Sequence, residues 1–379
     1  MHIRRDLRSF DFVLFILVVV LSIFGTFMVG SATGLGAGNF SSIFINQIFF
    51  LVSGIGIMLL CAFVDYELIA KFYILIYFIN IALLTIVLFI HQDAIVARWL
   101  GVEIGGILFG IQPSEFTKIF MIIFLAKIID KYKEKINNIL VLSLIIISTV
   151  IPIILIYLQP SLSASMVTIV ILLTMLYLGK ISYKYIISSI ALLAPALLFF
   201  YIDLHAETPV IIDQLLEPWQ IERIWYMLYP QYDTEYNVWQ NQRALSALSA
   251  GLLTGRGVFN NPFYIPEQSN DFIFSVIGAE LGFIGASLLI AIVLAISLRC
   301  FIIAHRSDVF LGRLLAGGVG VTIAFQAFVH VAINTWLLPN TGINFPFVSS
   351  GGSSMWIFMA GIGFVLNVAM TRNKSLFEE

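Results

Sequence analysis

The chain has 379 residues, 60% of them hydrophobic and only 11% charged, with a mean hydropathy of +1.00, far above that of an ordinary water-soluble domain. This composition excludes a soluble globular protein, and a net charge of −2 argues against nucleic acid as a partner. Apolar runs of about 20 residues, the length with which a helix crosses roughly 30 Å of hydrocarbon, recur from end to end, so the expected fold is an all-α polytopic membrane protein.

Ten transmembrane helices are expected, at about 10–30, 43–63, 72–91, 112–129, 139–158, 160–178, 183–203, 270–298, 309–335 and 347–370. The first run is too long for a secretory leader and lacks a small-residue cleavage site, so it reads as a retained span. With the N-terminus inside, 15 of the 20 basic residues fall on inner segments, as the positive-inside rule asks, and both termini are then cytoplasmic. The remaining five, Arg98, Lys118, Arg223, Arg243 and Arg256, lie on the outer half, together with 13 of the 22 acidic residues. Pairing with a nearby carboxylate is the plain reading of each. Cys61 and Cys300 fall near the inner ends of separate spans, where a reducing cytosol disfavours a disulfide.

Along the chain, the first sizeable outer loop covers about 92–111. The fourth span opens on Gln112-Pro113-Ser114 and the sixth on Gln159-Pro160-Ser161, and proline suits a first helical turn, where its missing N–H has no partner in any case. Glu115 and Lys118 follow three residues apart and share a helix face. An unpaired charge at membrane depth costs at least roughly 2.5–3.5 kcal/mol, so they form either a helix-locking ion pair or part of a site. Between spans seven and eight runs a long outer loop, about 204–269, whose "EPWQIERIWYMLYPQY" stretch reads as short helices at the membrane interface. Its Trp219, Trp225 and Trp239 suit interfacial anchoring.

The eighth span opens with "EQSNDFIFSVIGAELG", residues 267–282. Asp271 stands in its first turn after two capping residues, Ser269 and Asn270, and capping alone could account for it. Glu280 lies about 13 Å further along the axis and about half a turn round, so the two carboxylates do not share a face, and Glu280 must find a partner of its own or take up a proton. The last outer loop, "LLPNTGINFPFVSSGGSSM" at 337–355, places Ser349, Gly351, Gly352 and Ser353 at a helix start, where backbone N–H groups and hydroxyls could cradle a phosphate.

Five segments in order, "ARWLGVEIGGILFGIQPSEFTK", "LQPSLSA", "ERIWYMLYPQYDTEYNVWQNQRALSALSAGLLTGRG", "SNDFIFSVIGAELGFIG" and "LLPNTGINFPFVSSGGSS", resemble the SEDS proteins (shape, elongation, division and sporulation), the RodA/FtsW family of peptidoglycan glycosyltransferases. The resemblance spans nearly the whole chain as one domain, residues 1–379. It implies a multi-pass protein of the bacterial cytoplasmic membrane that polymerises lipid II into β-1,4-linked glycan at the outer face. It also implies a class B penicillin-binding protein and other cell-wall synthesis proteins as partners, besides the membrane lipids. The family's catalytic acidic residue falls on Asp271, and its motifs carry functional expectation onto Arg98, Glu115 and Lys118.

The chemistry agrees with those residue types. A carboxylate can take the proton of the attacking sugar hydroxyl, which makes Asp271 the candidate base. Charge developing on the departing pyrophosphate calls for Arg, Lys or a divalent cation such as Mg or Mn, which makes Arg98, Lys118, Arg243 and Arg256 candidates; no metal ligands are assigned. Glu280 is given a supporting role. The chain also departs from the family's usual pattern: Ser161 replaces an acidic residue, Ala279 a second glutamate, Ser350 a tyrosine and His330 an asparagine, and Ala332 stands where a glycine is usual. A lipid flippase and a cell-wall scaffold without catalysis are the alternative readings.

Overall fold

Helices begin where the sequence supplies partners for their free N–H groups. The Asp11 carboxylate accepts the Leu14 N–H at 2.9 Å ahead of α1 (Phe12–Ala32), and the Ser41 hydroxyl accepts that of Phe44 at 3.2 Å ahead of α2 (Ser42–Phe63); both are ordinary N-caps. A short inner helix, α3 (Tyr66–Lys71), leads into α4 (Tyr73–Ile90). Then come α5 (Pro113–Lys131) with proline in its first turn, α6 (Ile139–Tyr157) and α7 (Leu162–Leu178). The outer segment carries α8 (Pro218–Leu228) and α9 (Trp239–Ala250). The chain closes with α10 (Ile273–Arg306), α11 (Phe310–Asn334) and α12 (Gly352–Met370). The computed structural model describes residues 4–5, 7–38, 40–90, 99–104, 107–185, 218–232 and 239–372, with isolated positions between 187 and 203.

Nine of the ten expected spans are helices among the described residues; the seventh, 183–203, falls mostly outside them. Seven of the nine are long and apolar enough to cross a bilayer. Of the other two, α7 is shorter at 17 residues and α5 carries the charged residues Glu115, Lys118, Lys127, Asp130 and Lys131. The chain is an all-α polytopic membrane protein. Part of the first outer loop is a small antiparallel hairpin, Leu100–Ile104 with Ile107–Ile111. It rests against α12, where Ser353 Oγ accepts the Gln112 N–H at 3.0 Å.

The helices are apolar on all sides, as membrane helices are. On α1 the stripe Phe12, Ile16, Val20, Ile23 and Phe27 is exposed while Leu14, Val18, Leu21 and Met28 are buried, so one face meets lipid and the other meets protein. The centre of the bundle is α12, buried along most of its length and packed along α2, with α10 lying along α11.

The 34 residues of α10 would span about 51 Å if straight, but the helix breaks at Gly282 (φ 67°, ψ −166°). There the bonds from Phe283 N–H to Ala279 O and from Ile284 N–H to Glu280 O are replaced. The chain after α9 supplies all four substitutes: Phe283 N–H donates to Leu252 O at 2.8 Å and Ile284 N–H to Leu253 O at 3.1 Å, while Arg256 N–H reaches Ala279 O and Gly257 N–H reaches Glu280 O, both at 3.0 Å. The backbones approach so closely that a Cβ on Gly282 would lie 2.3 Å from Gly255 N, and one on Gly255 would lie 2.1 Å from Glu280 O.

Gly282→Ala would add that clash to a backbone conformation essentially restricted to glycine, at a cost of about 1–3 kcal/mol or more. Thermal unfolding in detergent should show a clearly lowered midpoint. Gly56→Ala, where a Cβ meets nothing within 4 Å, should leave it unchanged or raise it.

Candidate active site

Asp271 stands in the turn that leads into α10. The motif places it in the first helical turn, whereas the structure begins the helix at Ile273. The N–H groups of Asn270, Asp271 and Phe272 all turn back on the Glu267 carbonyl, at 3.0, 3.0 and 3.4 Å, so a tight turn forms before helical bonding starts. Ser269 and Asn270, expected as caps, instead offer their carbonyls to the last outer loop. Ser269 O accepts the Ser350 N–H at 2.8 Å, and Asn270 O accepts the Ser349 hydroxyl at 2.7 Å.

Asn334, at the end of α11, holds the same turn. Its Nδ2 donates to the carbonyls of Asp271 at 3.0 Å and His330 at 2.9 Å. Its Oδ1 accepts the Ser275 N–H at 3.1 Å and the Ser275 hydroxyl at 2.6 Å. Every donor and acceptor of the amide is used. One helix thereby fixes the start of another.

Beside Asp271 opens a cavity of about 170 Å3. Pro160 and Leu162 line it together with Gln220, Arg223 and Ile224 of α8 and the loop Pro339, Asn340, Thr341 and Gly342. Spacings of three and four put Gln220, Arg223 and Ile224 on one face of α8. Arg223 Nη1 donates to Asn340 O at 2.9 Å. Ser163 Oγ donates to Thr341 O at 2.8 Å, and the loop's own Gly342 N–H reaches Asn340 Oδ1 at 3.1 Å. Gly342 has φ +69°, and a Cβ there would point at the carboxylate, 3.6 Å from Asp271 Oδ2; glycine keeps the approach clear. Burial lowers the affinity of the Arg223 guanidinium for its proton, and the Asp271 carboxylate beside it works in the opposite direction.

Arg223 is the cation the structure brings to Asp271, and the motifs do not single it out. The signal was available in the periodicity of Gln220, Arg223, Ile224 and Met227, which mark one face of an amphipathic helix; the Met227 carbonyl accepts the Trp336 indole N–H at 3.2 Å.

The other expected residues stand elsewhere. Arg98 lies outside the described residues. Arg243 is exposed on α9, over the Trp239 ring at 5.3 Å, and Arg256 is exposed in the turn that splints α10; neither lines the cavity. Lys118 Nζ donates to Glu115 Oε1 at 2.6 Å, both side chains are buried in α5, and their neighbour Thr117 bonds Asn80 of α4 at 2.7 Å. Glu280, 1% exposed, accepts the Ser31 hydroxyl on both carboxylate oxygens, at 2.7 and 2.8 Å, and the Phe259 backbone N–H. It therefore ties α10 to α1.

The Gly-Ser turn bonds inward rather than presenting a cradle. Gly351 N–H donates to Gln47 Oε1 at 3.2 Å, the Phe50 ring fills the space a Cβ would need at Gly352, Ser349 Oγ accepts the Phe345 N–H at 2.8 Å, and Ser353 Oγ reaches Gly110 O at 3.3 Å. Among the departures from the family pattern, His330 is buried and its Nδ1–H donates to Ile343 O at 2.7 Å, which fixes the tautomer because a carbonyl only accepts. Ser350 braces Ser269. Among the described residues no three His, Cys, Asp or Glu side chains converge to hold a metal.

A bundle of apolar helices with one acidic and one basic side chain on a small cavity defines a polytopic membrane protein with a polar site at the end of the bundle. The FtsW/RodA/SpoVE family, described as cell cycle proteins, matches residues 11–374, and the chain belongs to that family. A probable peptidoglycan glycosyltransferase FtsW of Trichlorobacter lovleyi is 32% identical, covering 96% of this chain and 94% of the relative. The protein of the same name from Bacillus subtilis is 29% identical over 97% of this chain and 92% of its own length. Among solved structures, a peptidoglycan synthase complex that coordinates polymerization and crosslinking has a chain with TM-score 0.78 and 24% identity, covering 95% of this chain and 97% of that one. The rod shape determining protein RodA of Thermus thermophilus gives 0.67 and 22%, covering 95% and 96%. These two likenesses show the fold. The chain is a multi-pass protein of the bacterial cytoplasmic membrane.

Asn334→Asp is nearly isosteric but turns an oxygen toward the carbonyls of Asp271 and His330. It should destabilise the protein by about 1–3 kcal/mol and speed amide hydrogen exchange across residues 270–275. Unchanged exchange there would mean that Asn334 does not hold the turn.

Proposed function

We propose that this protein is a peptidoglycan glycosyltransferase that polymerises lipid II into β-1,4-linked glycan at the outer face of the membrane, with Asp271 as general base. The observation that carries the reading is Asp271, held by α11 and the last outer loop, lining a cavity with Arg223 beside it. Membership of the family and relatives named as probable peptidoglycan glycosyltransferases support it. With it go ten spans, both termini cytoplasmic, and the long outer loop between spans seven and eight.

In the proposed reaction the acceptor's sugar hydroxyl attacks the anomeric carbon of the donor. The new C–O bond forms with inversion as the bond to phosphate breaks, its electron pair leaves with undecaprenyl pyrophosphate, and the hydroxyl proton passes to Asp271. Cationic side chains meet the charge that develops on the leaving group. A divalent cation, Mg or Mn, would arrive on the substrate's phosphates, and no step is assigned to it. Glu115 and Lys118, which a transport path would use, are bonded to each other within α5, and this favours the enzyme over a flippase.

The partner proposed is a class B penicillin-binding protein, which would cross-link the strand as it is made, with other cell-wall synthesis proteins around the pair. A fold shared with a chain of a complex that coordinates polymerization and crosslinking supports that choice.

Glycan synthesis from purified lipid II, scored for the parent and for Asp271→Asn with the partner present, tests the assignment. The parent should make polymer, and the variant should be slower by about 10²–10⁴-fold, the range of general acid–base catalysis. Equal rates would remove Asp271 from the mechanism. In the same assay Glu115→Leu/Lys118→Met should retain more activity than either single variant, since a lone buried charge costs more than an apolar pair; a double variant as dead as Asp271→Asn would make the pair part of the chemistry.

A further inference from the structure

The Gly351 N–H and the hydroxyls of Ser349 and Ser353 are spent on the protein itself, but the helix they introduce is left uncapped. No side chain accepts a bond from the first turn of α12 at its Gly351 N-cap. The first backbone bond into the helix runs from Met355 N–H to Gly351 O at 3.0 Å, so the N–H groups of Gly352, Ser353 and Ser354 have no partner within it. Among the described residues they have none elsewhere either. Two side chains at the same end are also without a partner. Asn344 is 8% exposed and Ser354 5%, and neither side chain makes a hydrogen bond among the described residues. Asn344 Nδ2 lies 3.3 Å from the point that a Cβ on Gly351 would occupy, and Ser354 Cβ lies 3.7 Å from it. A capping side chain would bring an oxygen to this place, whereas Asn344 brings a nitrogen. Donors therefore face donors: three backbone N–H groups, an amide and a hydroxyl that can give its proton, with the positive end of the helix dipole behind them. An acceptor from outside the chain is what this end lacks.

The place fits an anion anchored in the membrane. The 19 residues of α12 cover about 28 Å, close to the roughly 30 Å of hydrocarbon in a bilayer, so its first turn stands at the level of lipid phosphates. Gly351 is only partly buried, which leaves the end of the helix within reach. Just ahead of it, the Ser350 N–H and the Ser349 hydroxyl bond the carbonyls of Ser269 and Asn270. The free end of α12 is thereby set beside the turn that carries Asp271.

We infer that the start of α12, with Asn344 and Ser354, is an anion site that takes a phosphate of the diphosphate on the lipid-linked substrate. This rests on the glycosyltransferase reading and assigns an anion contact of that same site. Helix N-termini bind phosphate through backbone N–H groups and the dipole alone, and the amide and hydroxyl add two neutral donors. The sugar joined to that diphosphate is then held next to the Asp271 turn, and holding the reacting group in place is itself a large part of catalysis.

Equilibrium binding of undecaprenyl diphosphate to the full-length protein in an uncharged detergent tests this without turnover. Asn344→Ala should weaken binding about threefold or more. Asn344→Asp is nearer the native shape but should weaken it at least about tenfold, because its charge opposes the anion. A role in packing alone would reverse that order. Ser354→Ala should weaken binding about threefold, and it carries the test if the Asn344 variants fail to fold. Phosphatidylglycerol, a phosphate without a diphosphate, should not displace the probe at equal concentration; displacement would give the site to the bulk membrane lipid and overturn its assignment to the substrate. A parent that binds no undecaprenyl diphosphate, parent-like affinity in Asn344→Asp or in Ser354→Ala, or the reversed order likewise overturns it. Polymerisation of lipid II by the parent with its partner, measured on the same preparations, separates the two readings. Glycan made by a protein whose affinity ignores Asn344 and Ser354 refutes the anion site alone, and no glycan together with the expected losses of affinity refutes the glycosyltransferase alone.

Discussion

A backbone hydrogen bond broken inside a bilayer has to be remade within the protein, because hydrocarbon offers no partner. The kink in α10 is where this chain meets that constraint most directly. Two successive helical bonds are lost at Gly282, and the four groups they release are all taken up by residues 252–257. The substitution works only if two backbones come almost into contact, hence glycine at 255 and 282. The upper end of α10 is then tied to the chain after α9 and, through Glu280 and Ser31, to α1. The carboxylate at the head of that helix inherits its position from these bonds.

Acidic and basic side chains come together at two places in the bundle and differ in what surrounds them. Glu115 and Lys118 lie within one helix, bonded at 2.6 Å and at most 6% exposed, with Asn80 and Thr117 beside them. Apolar surroundings make separating such charges expensive, since attraction strengthens as the dielectric falls. Asp271 and Arg223 come from elements more than forty residues apart in sequence and stand on a cavity. The first pair suits a brace between α4 and α5. The second lines open space at the surface of the bundle.

Much of this was legible in the sequence. Span positions followed from apolar run length, since a bilayer of fixed thickness demands it, and nine of the ten are helices among the described residues. That Asp271 and Glu280 stand apart followed from helix geometry, and the structure gives them different surroundings, the cavity beside α8 and the Ser31 hydroxyl of α1. The place of Arg223 was harder to see: the periodicity of α8 marks its face, but what that face meets depends on a loop more than a hundred residues away. The Gly-Ser turn at 349–353 misled for a related reason. Gly351 and Ser353 look like free donors and acceptors until Gln47, Gly110 and Gln112, distant in sequence, are seen to satisfy them. Local motifs name the groups present, and tertiary contacts decide which stay available.

The cavity's walls are fastened from several helices. On the Asp271 side, Asn334 saturates its amide on the turn and the last outer loop adds Ser349 and Ser350, all anchored on helices of the bundle. The loop forming the floor is gripped from α7 by Ser163 and from α11 by His330. Facing it, α8 belongs to the long outer segment, and among the described bonds it meets the floor through Arg223 on Asn340 and Trp336 on the Met227 carbonyl. A base needs a fixed position relative to the bond it helps to make, since small displacements are costly in rate. The bonds on the turn supply that fixity: one amide, Asn334, ties the Asp271 and His330 carbonyls to the Ser275 N–H and hydroxyl, so the carboxylate at the head of α10 is placed by two helices and a loop at once.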